Sequence, residues 1–156
     1  MSGGADLAGR GPGVLAADRV IDAPPAAVFG AATDWPAQAG WIPLTRVRVV
    51  RGDGRTPGSV VEAFTGVGPV GFLDVLEIVR FDPPHAVDVL HTGRWVRGQG
   101  AFVFEAVGAG TRFGVREWLH LPGGCAGRLA WRVLRPLLEL GARRSLAAFA
   151  GRLEPR

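Results

Sequence analysis

Lysine, tyrosine and asparagine are absent from this 156-residue chain, and cysteine and methionine occur once each. Without lysine, Schiff-base catalysis and a phosphate-loop lysine are both excluded. The single cysteine, Cys125, can neither close a disulfide within the chain nor build a thiolate metal cluster. No run of 18 apolar residues occurs, which excludes a transmembrane helix. Residues 1–13 (MSGGADLAGRGPG) contain no apolar signal core and read as a flexible N-terminal tail. The expectation is a soluble protein in a reducing, cytoplasmic setting.

What is present is arginine. All 18 basic residues are Arg, set against 14 acidic ones, for a net charge of +4. The sequence pI near 11.1 exaggerates this balance, because no lysine titrates before arginine does. The length fits one domain over 14–153, which would bury about 68–70% of its extended surface and need no covalent staple.

Along the chain the hydrophobic period changes twice. Residues 14–22 read as a first strand leading to a helix over 26–32. Asp22 is a candidate cap for that helix, and Pro24 and Pro25 suit its first turn, where a missing N–H costs little. A short second helix or turn should cover 36–40. From Thr45 the period is two, and strands are expected from Thr45 to about 51, then near 58–65, 70–81, 85–92, 96–106 and 111–121. The Gly and Pro punctuation between the later strands is too short for crossovers, so neighbours should pair antiparallel. A long helix over 126–153 closes the chain, with Pro136 expected to kink it.

The strand near 111–121 alternates most cleanly, placing Phe113, Val115, Glu117 and Leu119 on one face. Gly98 and Gly100 fall in phase with Phe102 and Phe104, which leaves room on that face for another group to approach. On the final helix Arg128, Arg132, Arg135, Glu139 and Arg143 share a narrow arc, opposite an apolar arc that includes Leu134 and Leu138. The apolar arc is expected to be buried and the Arg arc solvated.

Several local patterns resemble the START-like (SRPBCC) superfamily, which includes polyketide cyclase/dehydratase-like proteins. They are Ile21-Asp22-Ala23-Pro24-Pro25 through Val28-Phe29, then Asp34 followed by Trp41 and Pro43, then Ile78 through Asp82-Pro83-Pro84, and Gly108 to Thr111. Together they span roughly residues 14–153. The resemblance implies an α+β helix-grip fold: a curved antiparallel sheet of six to seven strands around a long C-terminal helix, with two short helices after the first strand. It also implies an internal cavity for a hydrophobic or amphipathic ligand, without fixing one activity.

Candidate site residues follow. Glu117, among apolar neighbours, would have its pKa raised and could serve as a general acid or base; an internal ion pair with an arginine is the structural alternative. His91 shares a face with Val87 and Val89, and could be catalytic or simply a satisfied core histidine. Asp74 falls in phase with Phe72 and Leu76 on a strand whose two faces are both apolar. Trp41, Phe64, Phe102, Phe104, Phe113 and Val115 could line the cavity, with Leu134 and Leu138 as its floor, or could be ordinary core. Arg144 could reach Glu117 or an acidic ligand group. His85 and His120 should be exposed, and no His–carboxylate spacing suggests a metal site.

Three functions compete. The first is binding of a hydrophobic small molecule, with no cofactor required. The second is a polyketide cyclase/dehydratase-like enzyme in which Glu117 or His91 moves protons, although the tyrosines and asparagines that family cyclases use to orient substrate are missing here. The third is a peripheral lipid carrier docking on a membrane through the Arg-rich helix face. Glu139 within that row and the modest net charge argue against a nucleic-acid surface.

Overall fold

A computed structural model describes residues 13–154; the tail expected over residues 1–13 lies almost wholly outside them. Strand β1 (Gly13–Ile21) leads into helix α1 (Pro25–Ala32) and a 3-10 helix at Pro36–Gly40. Six strands follow: β2 (Thr45–Arg51), β3 (Val60–Val67), β4 (Val70–Asp82), β5 (Ala86–Thr92), β6 (Arg97–Val107) and β7 (Gly110–Leu119). Helix α2 (Gly124–Leu153) ends the described chain.

The seven strands form one antiparallel sheet in the order β1-β7-β6-β5-β4-β3-β2. Apart from β1, which joins the far edge beside β7, each strand pairs with its sequence neighbour. Two-residue turns at 68–69 and 108–109 make the tightest reversals, with Gly68 and Gly108 at φ 57° and 59°. Such left-handed positions suit glycine, which has no Cβ to clash. The curved sheet against a long terminal helix is the helix-grip fold.

Helix α1 starts on Pro25 as expected, but Asp22 does not cap it. The N-cap position is Pro24, without a side-chain cap, and the Asp22 N–H donates to Glu154 Oε1 at 3.4 Å. The helix buries Val28, Phe29 and Ala32 against the sheet. Phe29 meets Phe104 at 5.0 Å and Phe81 at 5.2 Å between ring centroids. Phe113 is fully buried, stacks on Phe104 at 4.7 Å and meets Phe149 of α2 edge-on at 5.4 Å. This aromatic cluster ties α1, β4, β6, β7 and α2 together and fills one end of the space between sheet and helix.

Helix α2 departs from the expected burial. Its C-terminal half packs through Ser145, Leu146, Phe149 and Ala150. From its start to just past its middle, Leu129, Val133, Leu134, Leu137, Leu138 and Leu140 are all exposed. The reason is helical phase. Arg128 precedes Leu146 by the same interval that Arg135 precedes Leu153, about five turns of 3.6 residues. Each pair therefore falls on one side of a helix that runs on through Pro136. The side that meets the sheet near the C-terminus carries arginines near the N-terminus, so Leu129, Val133 and Leu134 there lie off the sheet, while Leu137 and Leu138 reach the rim of the space beneath the helix.

Candidate functional site

Where the aromatic cluster stops, a cavity of about 540 Å³ opens between the inner sheet face, the 3-10 helix and α2. Its walls are mostly apolar side chains such as Leu76, Val89, Phe102, Val115 and Leu146. Three ionisable groups project into this wall from different strands: Asp74 of β4, His91 of β5 and Glu117 of β7.

Sheet register explains how they meet. His91 lies opposite Leu76, so Asp74 occupies the diagonal position two residues further along the same face. Its carboxylate oxygens stand 2.9 and 3.0 Å from His91 Nδ1. The carboxylate thereby accepts the Nδ1 proton, and Nε2 is left to face the other way. Between His91 and Glu117 runs β6, where Gly98 pairs with His91 and Gly100 pairs with Glu117. Neither glycine raises a side chain between them. A Cβ on Gly100 would sit 3.1 Å from His91 Nε2, so the imidazole edge fills the space that the missing side chain leaves.

The electrostatics follow from this placement. Burial pushes the Glu117 carboxyl above the ordinary carboxylate range; His91 pulls it back and Asp74 pushes it further up. Burial alone would lower His91, but the Asp74 hydrogen bond and charge, with the Glu117 charge, outweigh it and raise its pKa. The neighbours that act on Glu117 are thus His91 and Asp74 rather than an arginine. Arg144 is exposed and does not line the cavity.

Two buried donor or acceptor atoms on the cavity wall have no partner among the described residues, His91 Nε2 and Trp41 Nε1. Two other polar contacts on the wall are made within the protein. Thr45 and Thr65 share a 2.9 Å hydroxyl contact, and Gln38 Nε2 donates to the Ala32 carbonyl at 2.9 Å. A buried polar atom without a partner is costly unless something else completes it.

Of the residues expected to line the cavity, Trp41, Asp74, His91, Phe102, Val115, Glu117 and Leu138 do. Phe64 does not. On β3 the inward residues are Val61, Ala63 and Thr65, and Phe64 lies on the opposite face under the Arg46 guanidinium, 5.2 Å from its ring centroid. Phe104 and Phe113 have the expected parity but sit deeper along their strands, within the aromatic core. Leu134 is half exposed and away from the wall; Leu137 and Gly141 contribute instead. Gln38, Thr45, Thr65 and Ser145 were not anticipated: Thr45 and Thr65 are small polar residues at or near strand ends, Gln38 belongs to a turn without periodicity, and Ser145 to a helix turn whose phase had shifted. His85 and His120 are exposed, as expected. Among the described residues no group of three His, Cys, Asp or Glu side chains is arranged to hold a metal ion.

Residues 13–154 match the family described as polyketide cyclase / dehydrase and lipid transport, and the chain belongs to that family. Solved structures repeat the fold. The Thermus thermophilus protein TTHA0849 superposes with a TM-score of 0.75 at 20% identity, over 90% of this chain and 96% of its own. A START superfamily protein from Mycobacterium smegmatis gives 0.69 at 12% identity, over 90% and 96%. The di-domain ARO/CYC protein BexL, of the BE-7585A biosynthetic pathway, gives 0.67 at 17%, over 88% of this chain and 45% of its own. No curated protein matches the chain.

Proposed function

We propose that the protein binds an amphipathic small molecule, its apolar body in the cavity and an oxygen-bearing polar end among Asp74, His91 and Glu117. The observation that carries this reading is the unpartnered Nε2 of His91 on the wall of an otherwise apolar space of about 540 Å³. That volume falls in the range of small-molecule sites, which typically combine greasy walls with a few polar anchors. Trp41 Nε1 can only donate, so a suitable ligand also carries a hydrogen-bond acceptor near the 3-10 helix.

A second reading is favoured by one feature, a carboxyl whose pKa burial raises, close to an imidazole oriented by a carboxylate. That pair suits proton transfer at a ligand carbonyl. Neutral His91 Nε2 would take a proton from the adjacent carbon while Glu117 gives one to the carbonyl oxygen, leaving an enol, an imidazolium and a carboxylate. Cyclisation chemistry of the kind named for the family would use such a step, with Trp41 rather than Tyr or Asn to orient the substrate.

Native mass spectrometry of protein purified from its own host, followed by organic extraction, tests the binding reading. A retained small molecule is expected. Protein that emerges empty and also fails to enhance the fluorescence of a hydrophobic dye would sink it. Glu117→Gln then separates the two readings: turnover lost with affinity kept marks the enzyme, and affinity kept with no turnover in either form marks the carrier.

A further inference from the structure

The exposed apolar row on α2 is not used by the cavity reading. Leu129, Val133 and Leu137 are 64%, 66% and 64% exposed, and Leu140 continues the row at 44%. Their spacings of four, four and three residues keep them on one side of the helix. A monomeric soluble protein rarely leaves so many large aliphatic side chains together in water, and such patches mark interaction surfaces.

We propose that this face of α2 docks on an anionic lipid bilayer, with the cavity mouth turned toward the membrane. Two observations choose this occupant. The first is continuity with the cavity. Leu137 and Leu138 are exposed and also line it, as does Phe72 of β4 at 43%. Trp95, 69% exposed, precedes the lining residue Val96, and exposed Leu44 lies between the lining residues Pro43 and Thr45. Large exposed apolar groups therefore stand at, or next in sequence to, lining positions on α2, β4 and two loops.

The second observation is charge. Helix α2 carries six arginines and one glutamate, against a net charge of +4 for the whole chain, so the remainder is slightly acidic. The positive charge of the molecule is concentrated on the element that exposes the leucines. An amphipathic helix with Leu on one face and Arg beside it is the pattern that settles at a lipid headgroup boundary, where the long arginine stems reach the phosphates. A second copy of this chain fits less well. Pairing two α2 faces would bring together two arginine-rich helices whose only carboxylate, Glu139, already accepts from Arg135 at 3.0 Å. The orientation of the mouth rests on the ligand-binding reading; docking itself does not.

The test is co-sedimentation of the full chain with vesicles of phosphatidylcholine alone, or of phosphatidylcholine mixed with phosphatidylglycerol. Binding is expected to the anionic vesicles and to weaken as salt rises from about 0.1 M to about 1 M, where screening shortens from about 10 Å to about 3 Å. The double variant Leu129→Glu, Val133→Glu changes no lining residue and should bind roughly tenfold more weakly or worse. Equal sedimentation with and without phosphatidylglycerol, or of the double variant and the parent, would overturn the proposal. So would a concentration-dependent dimer that the double variant abolishes, since the row would then be a self-interface. Dye uptake in solution separates the two readings. Uptake kept by the double variant leaves the cavity reading intact, and vesicle binding without any dye uptake leaves docking standing alone.

Discussion

The Asp74 carboxylate holds His91 Nδ1 at 2.9 and 3.0 Å from a diagonal position on the neighbouring strand, with the imidazole side chain only 3% exposed. The pair is therefore fixed by sheet register rather than by a flexible loop. It commits one ring nitrogen to the protein and leaves the other without a partner on the cavity wall. Burial and the Asp74 carboxylate act on this imidazole in opposite directions, which makes its titration a sensitive report on the pair.

Replacing Asp74 by Asn should reverse the sign of the His91 shift. Burial lowers the imidazole pKa, and Asp74 supplies the hydrogen bond and most of the charge that overcome it. With a neutral amide there, only the weaker Glu117 charge still opposes burial. The ring-proton NMR titration of His91 should move from above the ordinary value of 6.5 toward or below it. A titration that stays raised in the variant would show that Asp74 does not hold this proton.

Glu117 and His91 should make the protein less stable as pH rises. Each has a folded pKa above its ordinary value, 4.5 for the carboxyl and 6.5 for the imidazole. Above that ordinary value the unfolded chain has released the proton while the folded chain still holds it, so the unfolded state binds fewer protons and stability falls. The Glu117 contribution is complete below 4.5 and is lost as pH climbs through the raised value; that of His91 begins its decline above 6.5. Glu117→Gln removes the first contribution and weakens the second, because the Glu117 charge helps to raise His91. In thermal melts across this window the parent should lose more stability than the variant. Parallel curves would show that burial does not hold the Glu117 proton.

The sequence made these groups legible in proportion to the strictness of their strands. On β7 the alternation of Phe113, Val115, Glu117 and Leu119 is unbroken, and their shared face is as expected. Parity does not encode depth along a strand, which is why Phe113 and Phe104 lie in the core beside Phe29 rather than on the cavity wall. On β3 the aromatic Phe64 carried more weight than its phase warranted, whereas the inward positions are the smaller Ala63 and Thr65. For α2 a single wheel suggested one buried arc. The buried side changes character between Arg128 and Leu146, and only packing against the sheet reveals which half governs. The diagonal contact of Asp74 with His91 needed the register of β4 on β5, which periodicity alone does not contain.

The aromatic core and the outer sheet face should respond very differently to truncation. Phe113 is fully buried and its ring meets those of Phe102, Phe104 and Phe149 at 5.3, 4.7 and 5.4 Å. Phe113→Ala should destabilise by about 3–5 kcal/mol, the range for a large buried aromatic that leaves a cavity. For a chain of this size that corresponds to a Tm lower by roughly 6–20 °C. Phe64→Ala removes a ring from the other face of the sheet, under Arg46, and should cost about 1 kcal/mol while leaving dye or ligand affinity unchanged. Loss of ligand affinity on Phe64→Ala would place that ring at the cavity after all.

Two glycines of β6 separate stability from site geometry. Gly98 has φ 143°, and a Cβ there would collide with the Trp118 carbonyl on β7. Neither the backbone angle nor the carbonyl can easily yield, so Gly98→Ala should destabilise by about 1–3 kcal/mol, as measured by denaturant unfolding. Gly100 has no such angle, and its new Cβ would meet two side-chain atoms, Val89 Cγ2 at 3.0 Å and His91 Nε2 at 3.1 Å. A few tenths of an ångström of side-chain movement relieves both contacts, so Gly100→Ala should cost less stability than Gly98→Ala. The imidazole is the group that has to move, and it is tethered to Asp74 by Nδ1. The expected signature of Gly100→Ala is therefore weaker ligand binding and a changed His91 titration in a protein that still folds well. If Gly100→Ala leaves both unchanged, the gap on β6 is not what sets the approach of His91 to Glu117.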